Sequence, residues 1–366
     1  MVGAGPPVRT RPTGRPRPMG IAASGCPALV REPSRTENCV VGTVAPALPT
    51  LRARPTSAPP HGLRRGASDD PAAAPGRRTR PARAPGPPGR RSPPDLPERV
   101  AATYGEEDLS TVSAFAGGFI NFGYWAWLPE LADRPLTEED RVRSEQDLYR
   151  LVLDTFDRPR GRTALEVGCG RGLGCALALR EFDFGSLIGL DAHPDQIARA
   201  LEANAELLRE DTGPRRLEFV LGPAQRMPLP DACADFVYSV EAAQHFRDLA
   251  GFAREAVRVL RPAGQFALST FFARVPEAVR VLPELLPPYA DGLDVPHLVD
   301  DVAATFDAAG LRDVAVTPIG DGVWEPYDRY MEQRPELRDK WPRQYLTAYQ
   351  TGLLDYYLIT AAAPGE

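Results

Sequence analysis

The segment Ala164-Leu165-Glu166-Val167-Gly168-Cys169-Gly170-Arg171-Gly172 sets an apolar strand, an acid and three alternating glycines ahead of a helical stretch. A Cβ at the glycines would block both the tight strand-to-helix path and close approach of a ligand to the backbone. The N–H groups at the start of the following helix favour a carboxylate. This is not the dinucleotide fingerprint, because G-x-G-x-x-G counted from Gly168 puts Leu173 where the third glycine belongs. Glu166 is also out of place for a pyrophosphate, but suits a cationic ligand whose ammonium it can anchor directly or through water. Further on, Ile188-Gly189-Leu190-Asp191 ends a second strand with a carboxylate able to accept both ribose hydroxyls. Glycine turn, acid and spacing point to an adenosine that carries an amino acid.

Around this turn, apolar runs alternate with helical periods in a βαβα order, which predicts an α/β fold. The expected architecture is a Rossmann-like, mostly parallel seven-stranded sheet with helices on both faces, an antiparallel last strand and a helical, aromatic lid. Strands are predicted at 163–168, 186–191, 217–221, 236–240, 265–270, 314–319 and 353–361. Helices are predicted at 138–156, 194–208, 246–260 and 297–309, the third ending at the Pro and Gly of Arg261-Pro262-Ala263-Gly264. The stretch 271–296 reads as irregular, and the last two strands as an antiparallel hairpin closing the sheet edge. In domain terms, 98–366 is expected to form one catalytic unit, with a helical cap at 98–160 and lid inserts at 271–296 and 320–350.

Residues 1–97 differ in kind. They are dominated by Pro, Arg, Ala and Gly, with no apolar period that could offset the entropy of ordering, so disorder is expected. Lys340 is the sole lysine among 43 basic residues, which suggests a GC-biased gene and an upstream reading frame, with translation expected to begin near Val100. The formal charge of −6 conceals an Arg-rich tail and an acidic remainder. An acidic body lacks the basic stripe that a nucleic-acid partner needs. No apolar run reaches the length of a membrane span. Cys169, Cys175 and Cys233 show no metal spacing, and as free thiols fit a cytoplasmic protein. The assembly is left open, a homodimer included.

In these motifs the chain resembles the class I S-adenosylmethionine-dependent methyltransferases, over residues 100–365. The resemblance implies S-adenosylmethionine as cofactor. It implies that Glu166, Gly168, Cys169, Gly170 and Gly172 form the first cofactor motif, and Asp191 with Ala192 the ribose site. Ala224 and Gln225 would belong to the adenine loop, and Ser239, Val240 and Glu241 to the fourth-strand motif. Pro223 stands where the adenine loop usually has an acid, so Ala224 and Gln225 would bind through backbone or amide. A narrower similarity, to natural-product and glycolipid methyltransferases including macrolide-sugar O-methyltransferases, rests on residues 119–125, 241–245 and 323–327. It implies acceptor contacts from Phe122, Tyr124, Trp125, Trp324 and Tyr327, and a place in secondary-metabolite or antibiotic biosynthesis.

Methyl transfer asks a protein mainly to align the partners and exclude water. A hydroxyl acceptor also benefits from a general base, and His is the side chain suited to that task near neutrality. His245 follows the fourth predicted strand, at the sheet edge where such folds place ligands, and is the expected base. His193 and His297 read as structural. The function expected is transfer of a methyl group to a hydroxyl of a small molecule. Carbon or nitrogen methylation, or a non-methylating cyclase or scaffold that keeps the cofactor, are the alternatives.

Overall fold

The computed structural model describes residues 96–365 apart from 106–107, 110–111, 113, 128–129, 131–132 and 210–215; all but the last two residues of the Pro/Arg-rich segment therefore lie outside the described residues. Seven strands form one sheet: β1 (Thr163–Val167), β2 (Ser186–Asp191), β3 (Arg216–Leu221), β4 (Ala234–Val240), β5 (Leu260–Ala273), β6 (Arg312–Pro318) and β7 (Leu354–Ala362). Their order is β3-β2-β1-β4-β5-β7-β6. The first five run parallel, and β7 pairs antiparallel with both β5 and β6. Winding reverses between β1 and β4, since β1 leads to β2 and β3 on one side while β4 leads to β5 on the other. The crevice at the carboxyl ends of that strand pair is where open sheets of this kind hold ligands.

Helices α1 (Glu98–Tyr104) and α2 (Glu138–Leu153) precede β1, and α3 (Leu173–Glu181), α4 (Pro194–Ala203) and α5 (Ala205–Arg209) lie between β1 and β3. Helix α6 (Leu249–Val259) joins β4 to β5. Helices α7 (Ala278–Leu285), α8 (Pro287–Ala290) and α9 (Val299–Ala309) join β5 to β6, and α10 (Trp324–Glu332) and α11 (Gln344–Gln350) join β6 to β7. Helix α2 begins in a reciprocal cap, in which Asp140 N donates to Thr137 Oγ1 and Thr137 N to Asp140 Oδ2. Three acids in its first turn complement the helix dipole. Its inner stripe, Leu148 and Val152, is fully buried on one face of the sheet, and beyond its end Phe156 stacks on Phe236 at 4.7 Å. The other face is covered by α6 and α9, through Phe252 and Phe306 against Phe266.

Several boundaries differ from expectation for local reasons. The helix predicted at 194–208 breaks at Asn204, whose amide donates to Ala200 O and across to Arg171 O. Helix α6 starts only at Leu249, because Asp248 caps it by accepting from Gly251 N at 2.7 Å. Arg261-Pro262-Ala263-Gly264 is not a turn before β5 but an irregularity within it, with Ala263 at φ 58° and a register shift opposite Ala234–Phe236. The stretch 271–296 holds the end of β5 and helices α7 and α8. The final hairpin closes the sheet with β6 outermost and β7 inside it.

Candidate active site

At the carboxyl ends of β1, β2 and β4 a cavity is lined by Gly168, Cys169, Gly170, Asp191, Ala192, Ala224, Gln225, Val240 and Glu241, all expected from sequence. Gly168 sits at φ 80°, and a Cβ there would stand 2.4 Å from that of Ala242, so β1 and β4 can end this close only around a glycine. The N–H groups of Gly168 and Cys169 both donate to Leu190 O, tying the loop to β2. Gly170 N donates to Asp191 Oδ2 (2.9 Å) and His193 N to Asp191 Oδ1 (2.8 Å), so each carboxylate oxygen is fixed by one backbone donor and keeps a lone pair for a further one. A vicinal diol is the ligand group that matches two such oxygens. Burial raises the Asp191 carboxyl, and these two N–H groups oppose the rise. The cavity therefore fits the ribose and amino-acid ends of S-adenosylmethionine.

Three expected cofactor residues stand off this wall. Along β1, Leu165 and Val167 face one core layer and Glu166 the other, so Glu166 lies beneath the loop and not in the cavity. There it is fully buried and accepts from Cys175 Sγ (3.0 Å) and Tyr238 OH (3.1 Å). Ser239 is likewise buried and donates to Val167 O (2.8 Å). Gly172 caps α3 at φ 68°, where a Cβ would meet the Phe219 ring at 2.4 Å.

Burial pushes the Glu166 carboxyl up to about 7 and Glu241 up to about 8, in both cases against hydrogen bonds that favour the ionised form. A carboxyl raised on folding stabilises the protein fully below the ordinary carboxylate range, and that contribution is lost as pH rises toward the folded value. Thermal stability without cofactor is expected to fall from pH 5 to pH 8.5, by on the order of 1–3 kcal/mol per group. Glu166→Gln, whose amide oxygen still accepts from Cys175 and Tyr238, should flatten part of that fall. Melting curves across this pH range decide it. A flat profile in the wild type, or an unchanged slope in Glu166→Gln, would contradict the assignment.

A second cavity of about 640 Å³ adjoins the first, and Tyr104, Ile120, Glu241 and His245 line both. His245 is at the end of a short 3-10 turn after β4. Its Nδ1 donates to Leu293 O (3.1 Å), with Asp294 Oδ1 2.9 Å away and out of line. Its Nε2 lies 2.7 Å from Tyr104 OH. Leu293 O can only accept, and the Gln244 amide nitrogen, 3.2 Å from Nε2, can only donate, so these bonds assign the tautomer as Nδ1–H with a lone pair at Nε2, to which Tyr104 donates. Asp294 is in turn held by Tyr345 OH (3.2 Å to Oδ2). Glu241, in a left-handed backbone conformation at φ 48°, accepts at Oε2 from Phe122 N (2.8 Å) and Tyr356 OH (2.7 Å).

Of the expected acceptor residues, Phe122 and Tyr327 line this cavity, whereas Tyr124, Trp125 and Trp324 do not. Trp125 is buried and donates its indole N–H to Phe122 O (3.2 Å). Trp324 is fully buried and stacked on Tyr345 at 5.1 Å, and Tyr124 packs beside Gly322. His193 lines the first cavity, caps α4 and approaches Ala101 O, and His297 is bonded to Phe246 O. Tyr104 and Asp294 are additional to the sequence reading, and neither lies in a motif. Arg141 is a further addition. Fully buried, it donates to Ala114 O and Asn121 O and lies over the rings of Trp125, Tyr327 and Tyr330, fastening the 114–122 segment to α10.

Residues 165–268 match a family model described as a methyltransferase domain. Over 167 residues the chain is 35% identical to a fatty-acid O-methyltransferase of Mycolicibacterium smegmatis, covering 45% of this chain and 57% of that one. It spans about half the length of most of the curated relatives it matches. Among solved structures, geranyl diphosphate C-methyltransferase from Streptomyces coelicolor A3(2) aligns with a TM-score of 0.60 at 17% identity, over 72% of this chain and 97% of that one. The [4+2]-cyclase SpnF aligns with a TM-score of 0.54 at 19% identity, over 73% and 94%. These structural likenesses show the fold. No helix among the described residues is long and apolar enough to cross a membrane.

Proposed function

Because the chain carries a class I S-adenosylmethionine-dependent methyltransferase domain, we propose that it methylates a hydroxyl of a small molecule, a secondary metabolite or its sugar, with His245 as general base. One observation carries this reading: the Nε2 lone pair of His245 faces the junction of the two cavities, while its Nδ1 side is backed by Asp294. When bound, S-adenosylmethionine supplies a methyl already activated on a sulfonium. Asp191 would hold its ribose, the loop of Gly168–Gly170 its amino-acid end, and Ala224 with Gln225 its adenine.

The residues of the chain then handle the acceptor. An acceptor hydroxyl at the junction takes the place of Tyr104 as donor to His245 Nε2, and its proton passes to that nitrogen as the new O–C bond forms. The imidazolium so formed is stabilised by the Asp294 carboxylate 2.9 Å from Nδ1. Tyr104, freed from the ring, can donate to the acceptor oxygen, and the surrounding rings exclude water.

Carbon methylation is the second reading, and one observation favours it. Glu241 lines both cavities, and its buried carboxyl, in the ionised form favoured above about pH 8, would take the proton that a methylated double bond sheds. The likeness to SpnF keeps a non-methylating role in view. Incubation with methyl-labelled S-adenosylmethionine and a panel of alcohols, phenols and alkenes separates the three. Label on oxygen is expected. Label on carbon would favour Glu241, and cofactor binding without any labelled product would remove the transferase reading.

A further inference from the structure

The walls of the second cavity specify more than a hydroxyl. Ile120, Phe122, Phe271, Met331, Leu337 and Tyr345 supply an apolar, mostly aromatic surface. The rings meet edge to face, with Phe122 4.9 Å from both Tyr327 and Tyr345, and Phe271 5.2 Å from Tyr345. The volume of about 640 Å³ falls within the roughly 300–1,000 Å³ of sites for drug-sized ligands. Such a wall binds an extended or polycyclic hydrocarbon body through burial of apolar surface.

Charge on the wall is distributed unevenly. At the reacting end stand two buried acids, Glu241 and Asp294, beside Tyr104 and His245. The basic side chains of the wall, Arg99 and Lys340, stand at its solvent-exposed rim, and Arg99 is paired with Asp291 at 2.8 Å. An anionic headgroup placed beside His245 would therefore be desolvated next to the Asp294 carboxyl, with the cations of the wall left at the rim. A carboxylate acceptor would also arrive already ionised and leave His245 with no proton to take. A neutral hydroxyl avoids the desolvation and uses the base.

We propose that the second cavity takes an uncharged alcohol or phenol on an apolar body of at least sesquiterpene bulk, and discriminates against the same body ending in a carboxylate or phosphate. This substrate class rests on the reading of His245 as base for a hydroxyl. In the step it implies, the O–H bond breaks with its proton going to His245 Nε2, an O–CH3 bond forms, and the S–CH3 bond breaks with its electron pair remaining on sulfur.

Four probes sharing one skeleton test it: farnesol, farnesoic acid, farnesyl diphosphate and farnesylamine, each titrated by tryptophan fluorescence into the full chain with S-adenosylhomocysteine present. Farnesol is expected to bind at least about tenfold more tightly than the acid or the diphosphate. Asp294→Asn should narrow that ratio by admitting the acid. Met331→Trp, which fills the cavity, should weaken farnesol about tenfold or more and leave S-adenosylhomocysteine affinity unchanged, which also shows that the variant is folded. Equal or tighter binding of any charged probe, no binding of farnesol, or an alcohol-to-acid ratio insensitive to Asp294→Asn overturns the proposal. With labelled S-adenosylmethionine, label in farnesol supports it. Label in the acid, diphosphate or amine in preference overturns the substrate class and leaves methyl transfer standing, whereas label in none of the four overturns the transfer reading on which the class rests.

Discussion

His245→Ala lowers kcat for methyl transfer to an alcohol by about 10²–10⁴, the usual contribution of a positioned base, and leaves the affinity for S-adenosylmethionine unchanged. The size follows from the geometry. The ring is held by Leu293 O and Asp294 at Nδ1, so Nε2 keeps its direction when the acceptor hydroxyl displaces Tyr104 from it. Alanine removes the base but not the alignment of the partners, and a residual rate survives that rises with the acidity of the acceptor hydroxyl. Tyr104→Phe keeps the base, and its loss is smaller. Steady-state kinetics, alongside calorimetric titration of the cofactor, read each of these. A His245→Ala enzyme with normal kcat, or with weakened cofactor binding, would make the ring structural and move Glu241 to first place.

Asp191→Ala weakens S-adenosylmethionine binding by about 1.5–3 kcal/mol, or about ten- to more than a hundredfold in Kd, because two ribose hydroxyls lose a charged acceptor. S-adenosylhomocysteine should lose the same amount, since the ribose is common to both. The loop suffers as well. Gly170 N and His193 N each lose the oxygen that receives them, so stability without ligand should fall by about 1 kcal/mol, an effect invisible in the sequence pattern. Calorimetry with both ligands and melting without either test the two halves separately. Unchanged affinity would place the ribose elsewhere in the cavity.

Both predictions draw on residues whose local setting was legible beforehand. The glycine turn, Asp191 at the end of β2 and His245 beyond β4 announce themselves because backbone sterics and apolar period act over a few residues. Those same signals gave the seven strands within a few residues at nearly every boundary. Helix boundaries moved where a side chain bonded the backbone, as the Asp248 cap delays α6 and the Asn204 amide, on Ala200 O and Arg171 O, ends α4.

Which face a side chain takes is a different matter. Glu166 precedes the glycines in a motif that invites a ligand contact, yet the pleat of β1 sends it between Cys175 and Tyr238, where burial raises its carboxyl. Trp324 and Tyr327 lie three residues apart on α10, and only the ring of Tyr327 reaches the cavity, because Trp324 stacks on Tyr345. The sequence by itself determined the sheet, the glycine turn and the place of His245 after β4, all of which short-range geometry dictates. Tertiary structure alone decided what His245 touches. Tyr104 comes from 141 residues upstream and Asp294 from the segment after α8, and no local pattern records a meeting produced by the packing of α1 and the α7–α8 insert over the end of β4.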